Sequence, residues 1–205
     1  MIHLYNQDCM EAMASMEDNQ FDLAIVDPPY GIGMDKGAGE TRGNGKKKKD
    51  LYTFKNWDSQ KPTKKYFLEL FRVSKEQIIW GGNYFVDNLY PSRCWIYWEK
   101  LIGGNYADGE LAWTSFDKNV KQFTKRSPQG NRIHPTQKPV ALYTWLLDKY
   151  AQKGWKILDT HLGSGSSAIA AHDMGYEFHG YELDEEYFEA ASKRLKEHQK
   201  QLQLF

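Results

Sequence analysis

The stretch from Trp155 to Glu182 constrains this chain more than any other. An apolar run, Trp155–Leu158, leads through Asp159-Thr160-His161-Leu162-Gly163-Ser164-Gly165-Ser166 into a helical pattern over Ser166–Met174. A second run, Tyr176–Tyr181, then closes on Glu182. Strand, glycine turn, helix and strand make a crossover unit, whose two strands lie parallel in one sheet with the helix on a face. Without side chains at Gly163 and Gly165, a ligand can lie directly against the backbone at the helix N-terminus. An acid ending the second strand is placed to accept from both hydroxyls of a ribose. The unit therefore points to a nucleoside-bearing guest. It departs from the dinucleotide fingerprint because Ala168 stands where the third glycine belongs, and no Gly-Lys-Ser/Thr follows to make a P-loop.

The rest of the chain alternates short apolar runs with amphipathic stretches, which argues for an α/β fold. Strands are expected at Ile2–Asn6, Phe21–Val26, Gln77–Trp80, Cys94–Trp98 and Glu110–Phe116, the last two forming an antiparallel ribbon across Gly103-Gly104. Helices are expected at Cys9–Met16 (Met10, Met13 and Ala14 on one face), Pro62–Val73 (Tyr66, Phe67, Leu70 and Phe71 on one face), from Pro139 to Tyr150 and over Glu185–Gln199. Residues 31–60 read as a mobile loop rich in glycine and lysine, including Lys46, Lys47, Lys48 and Lys49. With 205 residues, 40% hydrophobic and 26% charged, a single domain over 1–205 can bury a full sheet without a disulfide or metal staple. Two cysteines, Cys9 and Cys94, exclude a disulfide scaffold and a four-cysteine zinc site, and the histidines have no metal-ligand spacing. No metal is expected. No apolar run reaches membrane-helix length and no signal-peptide pattern opens the chain, so no membrane partner is expected and a cytoplasmic location is.

Asp27-Pro28-Pro29-Tyr30 follows the apolar run Phe21–Val26 directly, at a strand's carboxyl end, where open α/β sheets keep their ligand sites. These residue types suit a planar ring that carries an exocyclic amine. A carboxylate and a backbone carbonyl each accept one N–H, and a phenol face stacks on the ring. Alone, the tetrapeptide can also be read as a strand-ending turn whose aspartate caps a helix. A third motif, His134-Pro135-Thr136-Gln137-Lys138-Pro139, precedes a helix, where an ammonium and a hydroxyl suit a carboxylate. Charge is unevenly spread although the net is zero. Residues 1–30 hold six acids and no Lys or Arg, residues 31–138 carry +9, and residues 139–205 carry −3. The basic middle suits a polyanion, or is no more than solvated loop.

Together these residues resemble the permuted, beta-class amino-methyltransferases that use S-adenosylmethionine on DNA bases, and compact phage or prophage adenine enzymes in particular. The resemblance rests on Asp8-Cys9, Asp27–Tyr30, His134–Pro139, Asp159–Ser166 and Glu182, and spans nearly the whole chain. It implies a circularly permuted, Rossmann-like class I methyltransferase fold: a mostly parallel, seven-stranded twisted sheet with an antiparallel edge ribbon and helices on both faces. The implied catalytic residues are Asp27, Pro28, Pro29 and Tyr30. The implied cofactor site comprises Asp8 and Cys9 on the adenine ring, Glu182 on the ribose with Leu183 beside it, and Asp27, Asp159, Gly163, Ser164, Gly165 and Ser166 along the methionine portion. Thr136 and Lys138 would lie near its carboxylate. The product would be S-adenosylhomocysteine. Where many relatives carry proline and phenylalanine after the aspartate, this chain has Thr160 and His161 before Leu162.

The resemblance also implies direct in-line transfer to a flipped base in double-stranded DNA, with Tyr30 stacked on the ring and Asp27 and the Pro28 carbonyl accepting from its amine. Aspartate at the first motif position favours adenine N6; cytosine N4 is the alternative, and a non-catalytic nucleic-acid-binding subunit a further one. Carbon-5 chemistry needs a cysteine typically preceded by proline, whereas Cys9 follows Asp8 and Cys94 follows Arg93. Residues 82–133 are the expected target-recognition region. Lys46–Lys49, Lys121, Lys125, Arg126 and Arg132 are the expected phosphate partners. That region is short, so recognition is loose or a second subunit completes it, as in a homodimer.

Overall fold

The computed structural model describes residues 1–33, 58–102, 107–128 and 132–202. In chain order the elements are β1 (Ile2–Asn6), α1 (Cys9–Ala14), β2 (Phe21–Val26), α2 (Lys64–Val73), β3 (Ser74–Trp80), β4 (Trp95–Glu99), β5 (Gly109–Thr114), β6 (Lys121–Thr124), α3 (Val140–Tyr150), β7 (Lys156–Asp159), α4 (Ser166–Asp173), β8 (Glu177–Glu182) and α5 (Glu185–Leu202). They build one sheet in the order β1-β8-β7-β2-β3-β5-β4-β6. Neighbours from β1 through β3 pair in parallel, β5 runs antiparallel to both β3 and β4, and β6 is parallel to β4.

This is the permuted, Rossmann-like arrangement expected, with two differences in detail. The sheet has eight strands rather than seven, and the reversed strand β5 lies inside it rather than in an edge ribbon. The additional edge strand, β6, reads Lys-Gln-Phe-Thr, with Phe123 its single large apolar residue, packed on Trp145 at 5.4 Å. A short polar strand of this kind suits an edge and leaves almost no alternation to read.

Both faces of the sheet are covered, which is why its central strand, Phe21-Asp22-Leu23-Ala24-Ile25-Val26, reads as an almost continuous apolar run. Leu23 and Ile25 point into one core with Leu142, Leu146 and Leu147 of α3 and the alanines of α4. Ala24 and Val26 point into the other with Met13 and Met16 and with Tyr66, Phe67 and Leu70 of α2. In α1 it is Ala12 and Met13 that are buried. Ala14, expected inward, is exposed at the helix end. Arg72 of α2 ties down that end, donating to the Met16 carbonyl at 2.8 Å and the Met13 carbonyl at 2.7 Å, at a terminus whose last carbonyls lack the regular helical donors.

Function is positioned by the change of direction at β2. From β2 the chain continues to β3 on one side, while its other neighbour, β7, arrives from the far end of the sequence. The pairing Ala24↔Leu158 sets the carboxyl ends of β2 and β7 side by side, at the crevice where open sheets bind ligands. The Asp27–Tyr30 turn and the glycine turn thus leave the sheet as neighbours. Within the expected 82–133 region, two 3-10 turns and β4 to β6 extend the sheet itself. Most of the expected 31–60 loop, residues 34–57, lies outside the described residues. Among the described residues no helix is long and apolar enough to cross a membrane.

Candidate active site

Asp27 leaves β2 with both carboxylate oxygens engaged. Oδ1 accepts from the Tyr30 hydroxyl at 2.7 Å, and Oδ2 accepts from the Lys138 ammonium at 2.5 Å. Lys138 comes from the segment before α3, and its side chain is 2% exposed. The same ammonium pairs with Glu110 Oε2 of β5 at 2.9 Å, and Lys100, just beyond β4, pairs with Glu110 Oε1. Two acids and two ammonium groups thus form a balanced, enclosed cluster, as buried charges require. Burial pushes the Asp27 carboxyl above its usual range and the Glu110 charge adds to this, while Lys138 opposes without reversing it. Burial also lifts Glu110, but Lys138 and Lys100 outweigh it and hold that carboxyl at about 2. Burial, then Asp27 and Glu110, hold the Tyr30 phenol well above its ordinary range.

Tyr30 is set by its neighbours. Its ring stacks on Tyr84 with centroids 5.0 Å apart and planes 18° from parallel. Beneath it Gly81 adopts φ +70°, and a Cβ there would lie 2.2 Å from the Tyr30 ring, so only glycine fits. The Gly31 amide donates to the buried Asp58 at 2.8 Å, which fixes the exit from the turn. These residues border a cavity of about 580 Å³ that also meets Tyr97, Lys100 and Glu110.

A second cavity, about 590 Å³, lies across the turn at the carboxyl ends of β1, β7 and β8. Glu182 Oε2 accepts from the Gly163 amide at 2.8 Å and Oε1 from the Asp184 amide at 3.0 Å, which aims the carboxylate into the cavity. Asp8 caps α1, its Oδ1 accepting from Met10 and Glu11 amides at 2.7 and 3.1 Å, and leaves Oδ2 for a ligand. Gly163, at φ +52°, has only the His134 ring near its missing Cβ, at 3.8 Å, so the backbone is open to the cavity. Burial pushes the Cys9 thiol up to about 12, with Asp8 adding, which disfavours the thiolate a nucleophile needs.

Of the residues expected around a cofactor, Asp8, Cys9, Asp27, Thr136, Lys138, Gly163, Ser164, Glu182 and Leu183 border this second cavity. Asp159, Gly165 and Ser166 stand behind the wall and build it. Asp159 accepts from the His161 amide at 3.0 Å and the Ser167 hydroxyl at 2.6 Å, and burial lifts its carboxyl to about 7. Ser166 donates to the Lys138 carbonyl at 2.8 Å, and Gly165 packs against Ala191. Lys138, expected near a ligand carboxylate, borders this cavity and directs its ammonium at the partly buried Asp27 and Glu110 carboxylates, which hold it there. Thr136 meets His134 Nδ1 at 3.1 Å, and the His134 ring packs edge-on against Tyr187 at 4.5 Å. His161 packs edge-on against Tyr66 at 5.5 Å, and Leu162 is buried. Burial holds both imidazoles near neutral, with pKa values of about 4.

Several site residues escaped the sequence reading. Glu110 and Lys100 lie on β5 and just beyond β4, in the expected antiparallel ribbon, but reach Lys138 only because β5 also pairs with the distant β3. Arg194 of α5 donates to the Ser164 carbonyl at 2.7 Å and to Ser166 at 2.9 Å, bracing the glycine turn from a helix read only as a cover. Among the expected phosphate partners, Lys121, Lys125 and Arg126 are exposed on and after β6. Arg132 is half-buried and donates to the Pro135 carbonyl at 3.3 Å. Lys46–Lys49 lie outside the described residues. Among the described residues one trio, His3, Glu177 and His179, brings potential metal-ligating atoms within 4.8 Å of one another. It sits toward the amino ends of β1 and β8, and Glu177 already faces Lys156 at 3.4 Å.

The two cavities meet. Asp27, Pro29, Thr136 and Lys138 border both, so the Asp27–Tyr30 turn and the segment before α3 form the wall the two cavities share. Residues 79–193, more than half of the chain, match the family model described as DNA methylase. The chain is 28% identical over 208 residues to an Escherichia coli (strain K12) protein named as a methylase, YubD, covering 96% of this chain and 91% of that one. The crystal structure of an M1.HpyAVI–SAM complex superposes with a TM-score of 0.66 at 21% identity, covering 95% of this chain and 99% of that one. The PvuII DNA methyltransferase, described as cytosine-N4-specific, superposes with a TM-score of 0.63 at 12% identity, covering 96% and 90%. These structures share the permuted, Rossmann-like class I methyltransferase fold.

Proposed function

The chain belongs to the DNA methylase family, and from that premise we propose that it transfers a methyl group from S-adenosylmethionine to the N6 amine of an adenine flipped out of duplex DNA. The observation that carries this reading is the pair of cavities meeting at Asp27, Pro29, Thr136 and Lys138. One is bordered by the aromatic and acceptor groups that an amine-bearing ring needs, the other by Glu182, Asp8 and the open Gly163 backbone that a nucleoside needs. The similarity to a structure solved with SAM supports the cofactor.

Bound S-adenosylmethionine would supply an electrophilic methyl group. The protein's residues do the rest by placement. Asp8 Oδ2 would accept from the exocyclic amine of the cofactor's adenine and Glu182 from its ribose hydroxyls, with Leu183 beside it at the cavity wall. Flipping the target base out of the stack costs roughly a few kcal/mol. Tyr30 then stacks on the base, while Asp27 and the Pro28 carbonyl each accept a hydrogen bond from one of its amine N–H groups. That draws the nitrogen toward tetrahedral geometry and turns its lone pair across the shared wall. Asp27, whose pKa is raised by burial, is suited to receive the surplus amine proton that methylation releases. Positioning and electrostatics account for most of the acceleration. Aspartate in the first motif position supports adenine. The basic residues of the 82–133 region, with Lys46–Lys49, meet the phosphates.

Purified protein incubated with labelled S-adenosylmethionine and mixed-sequence duplex DNA, then digested to nucleosides, tests the reading. N6-methyladenine is the expected labelled product. N4-methylcytosine would keep the fold and the placement of groups and reverse the base; unlabelled DNA despite measured cofactor binding would overturn the activity.

A further inference from the structure

Each oxygen of Asp27 already accepts a short hydrogen bond before any base arrives, one from the Tyr30 hydroxyl at 2.7 Å and the other from Lys138 at 2.5 Å. A carboxylate pinned by a buried ammonium is a poor acceptor for an incoming amine. The ammonium cannot simply withdraw, because its side chain is 2% exposed and an unpaired buried charge is strongly disfavoured. It does have a second carboxylate within reach, Glu110 Oε2 at 2.9 Å, whose other oxygen is anchored by Lys100.

We propose that Glu110 is a positioning residue that takes Lys138 from Asp27 when the target amine enters, freeing one Asp27 oxygen to accept from it. This rests on the methyl-transfer reading above. A swing of about 1 Å away from Asp27 takes the 2.5 Å contact past hydrogen-bond reach while the 2.9 Å contact to Glu110 is kept, so the ammonium stays paired throughout. The Trp80 ring, 5.2 Å from the ammonium, forms an apolar wall that keeps the exchange within the cluster. Anchored by Lys100, Glu110 keeps its place at the cavity wall while Lys138 moves.

The groups that act on Asp27 are Lys138 before α3, Glu110 on β5, Lys100 after β4, Tyr30 on its own turn, Tyr143 on α3, Tyr66 on α2 and Asp159 on β7. The two tyrosines of the helices stay neutral, since burial holds their phenols well above the ordinary range. Removing the Glu110 charge therefore leaves Lys138 with Asp27 as its one carboxylate partner, and holds that carboxylate ionised and tied. Removing Lys100 does the reverse, since Glu110 then pulls harder on Lys138 and Asp27 loses a nearby positive charge.

The test is the pH profile of methyl transfer by the full chain, read with the carbon-13 NMR titration of the Asp27 carboxyl and with calorimetry for cofactor affinity. Glu110→Gln is expected to lower kcat by about tenfold or more, the equivalent of one hydrogen bond in the transition state. The acid limb and the Asp27 titration move to lower pH, while cofactor affinity is kept. Lys100→Met is expected to move both to higher pH. A merely structural role would lower stability without displacing the two titrations in opposite directions. Should Glu110→Gln be unfolded by circular dichroism, Lys100→Met carries the test alone. Folded variants whose acid limb and titration match the wild type overturn the hand-over while leaving methyl transfer standing. A wild-type protein that binds cofactor but labels no DNA overturns the methyl-transfer reading, and the hand-over with it.

Discussion

Asp27→Asn is the sharpest perturbation of this site, because it changes charge and donor pattern at nearly constant volume. One carboxylate oxygen becomes an NH2 group, which cannot face the Lys138 ammonium at 2.5 Å; turned to the Tyr30 hydroxyl at 2.7 Å it donates there, and that hydroxyl must redirect its own proton to Glu110 Oε2 at 3.3 Å, so the charged hydrogen bond from Tyr30 to Asp27 is lost. Lys138 retains Glu110 at 2.9 Å, so it is not orphaned. The stability loss is therefore about 1–3 kcal/mol, the cost of one charged hydrogen bond, rather than the roughly 3–5 kcal/mol of a buried ion left alone. The rate is hit harder. The target amine loses its anionic acceptor, and by analogy with removing one preorganised polar group from an active site, methyl transfer should fall by about 10²–10³-fold. Glu182, Asp8 and the Gly163 backbone are untouched, so cofactor affinity should stay within about threefold, under 1 kcal/mol. Transfer is measured as label incorporated into duplex DNA, affinity by calorimetry and stability by urea unfolding. Full retention of rate would refute Asp27 as the amine acceptor. A collapse of cofactor affinity with the fold intact would move Asp27 to the cofactor's side of the shared wall.

Glu182→Gln places an NH2 against the Gly163 or Asp184 amide, each of which now donates to the carboxylate, and should weaken cofactor binding by about 10–100-fold; unchanged affinity by calorimetry rejects the ribose assignment. Gly81→Ala forces a Cβ to within 2.2 Å of the Tyr30 ring at φ +70°. It should cost at least about 1–2 kcal/mol in thermal unfolding and lower kcat through displaced Tyr30, and a wild-type rate would show that the ring position is immaterial. Asp159, lifted to about 7 by burial from an unfolded value of 3.8, binds its proton more tightly when folded. Its contribution to stability is fully present below pH 3.8 and is lost as pH rises through about 7, by at most roughly 4 kcal/mol. The stability of Asp159→Asn relative to wild type should therefore rise from pH 4 to 7, and a flat difference would show that the carboxyl titrates normally.

What was legible in the sequence was local. The strand–turn–helix–strand unit over 155–182, the turn at Asp27–Tyr30 and the helix after Pro139 each depend on residues within a few positions, so periodicity, proline and glycine announce them. Glycines without side chains and an acid ending a strand mark a nucleoside site wherever they stand. The parallel α/β class follows from that alternation, and the resemblance supplied the permutation. The tertiary structure decided which local pieces meet. The Ala24↔Leu158 register puts the two turns side by side, and the Lys138–Asp27 contact joins residues 111 positions apart. Glu110, Lys100 and Arg194 belong to the site only through strand order and helix packing, and β6 exists as a strand only because β4 offers it an open edge. Such contacts cost loop-closure entropy and are repaid by burial and pairing across the whole sheet, so no short window of sequence carries them.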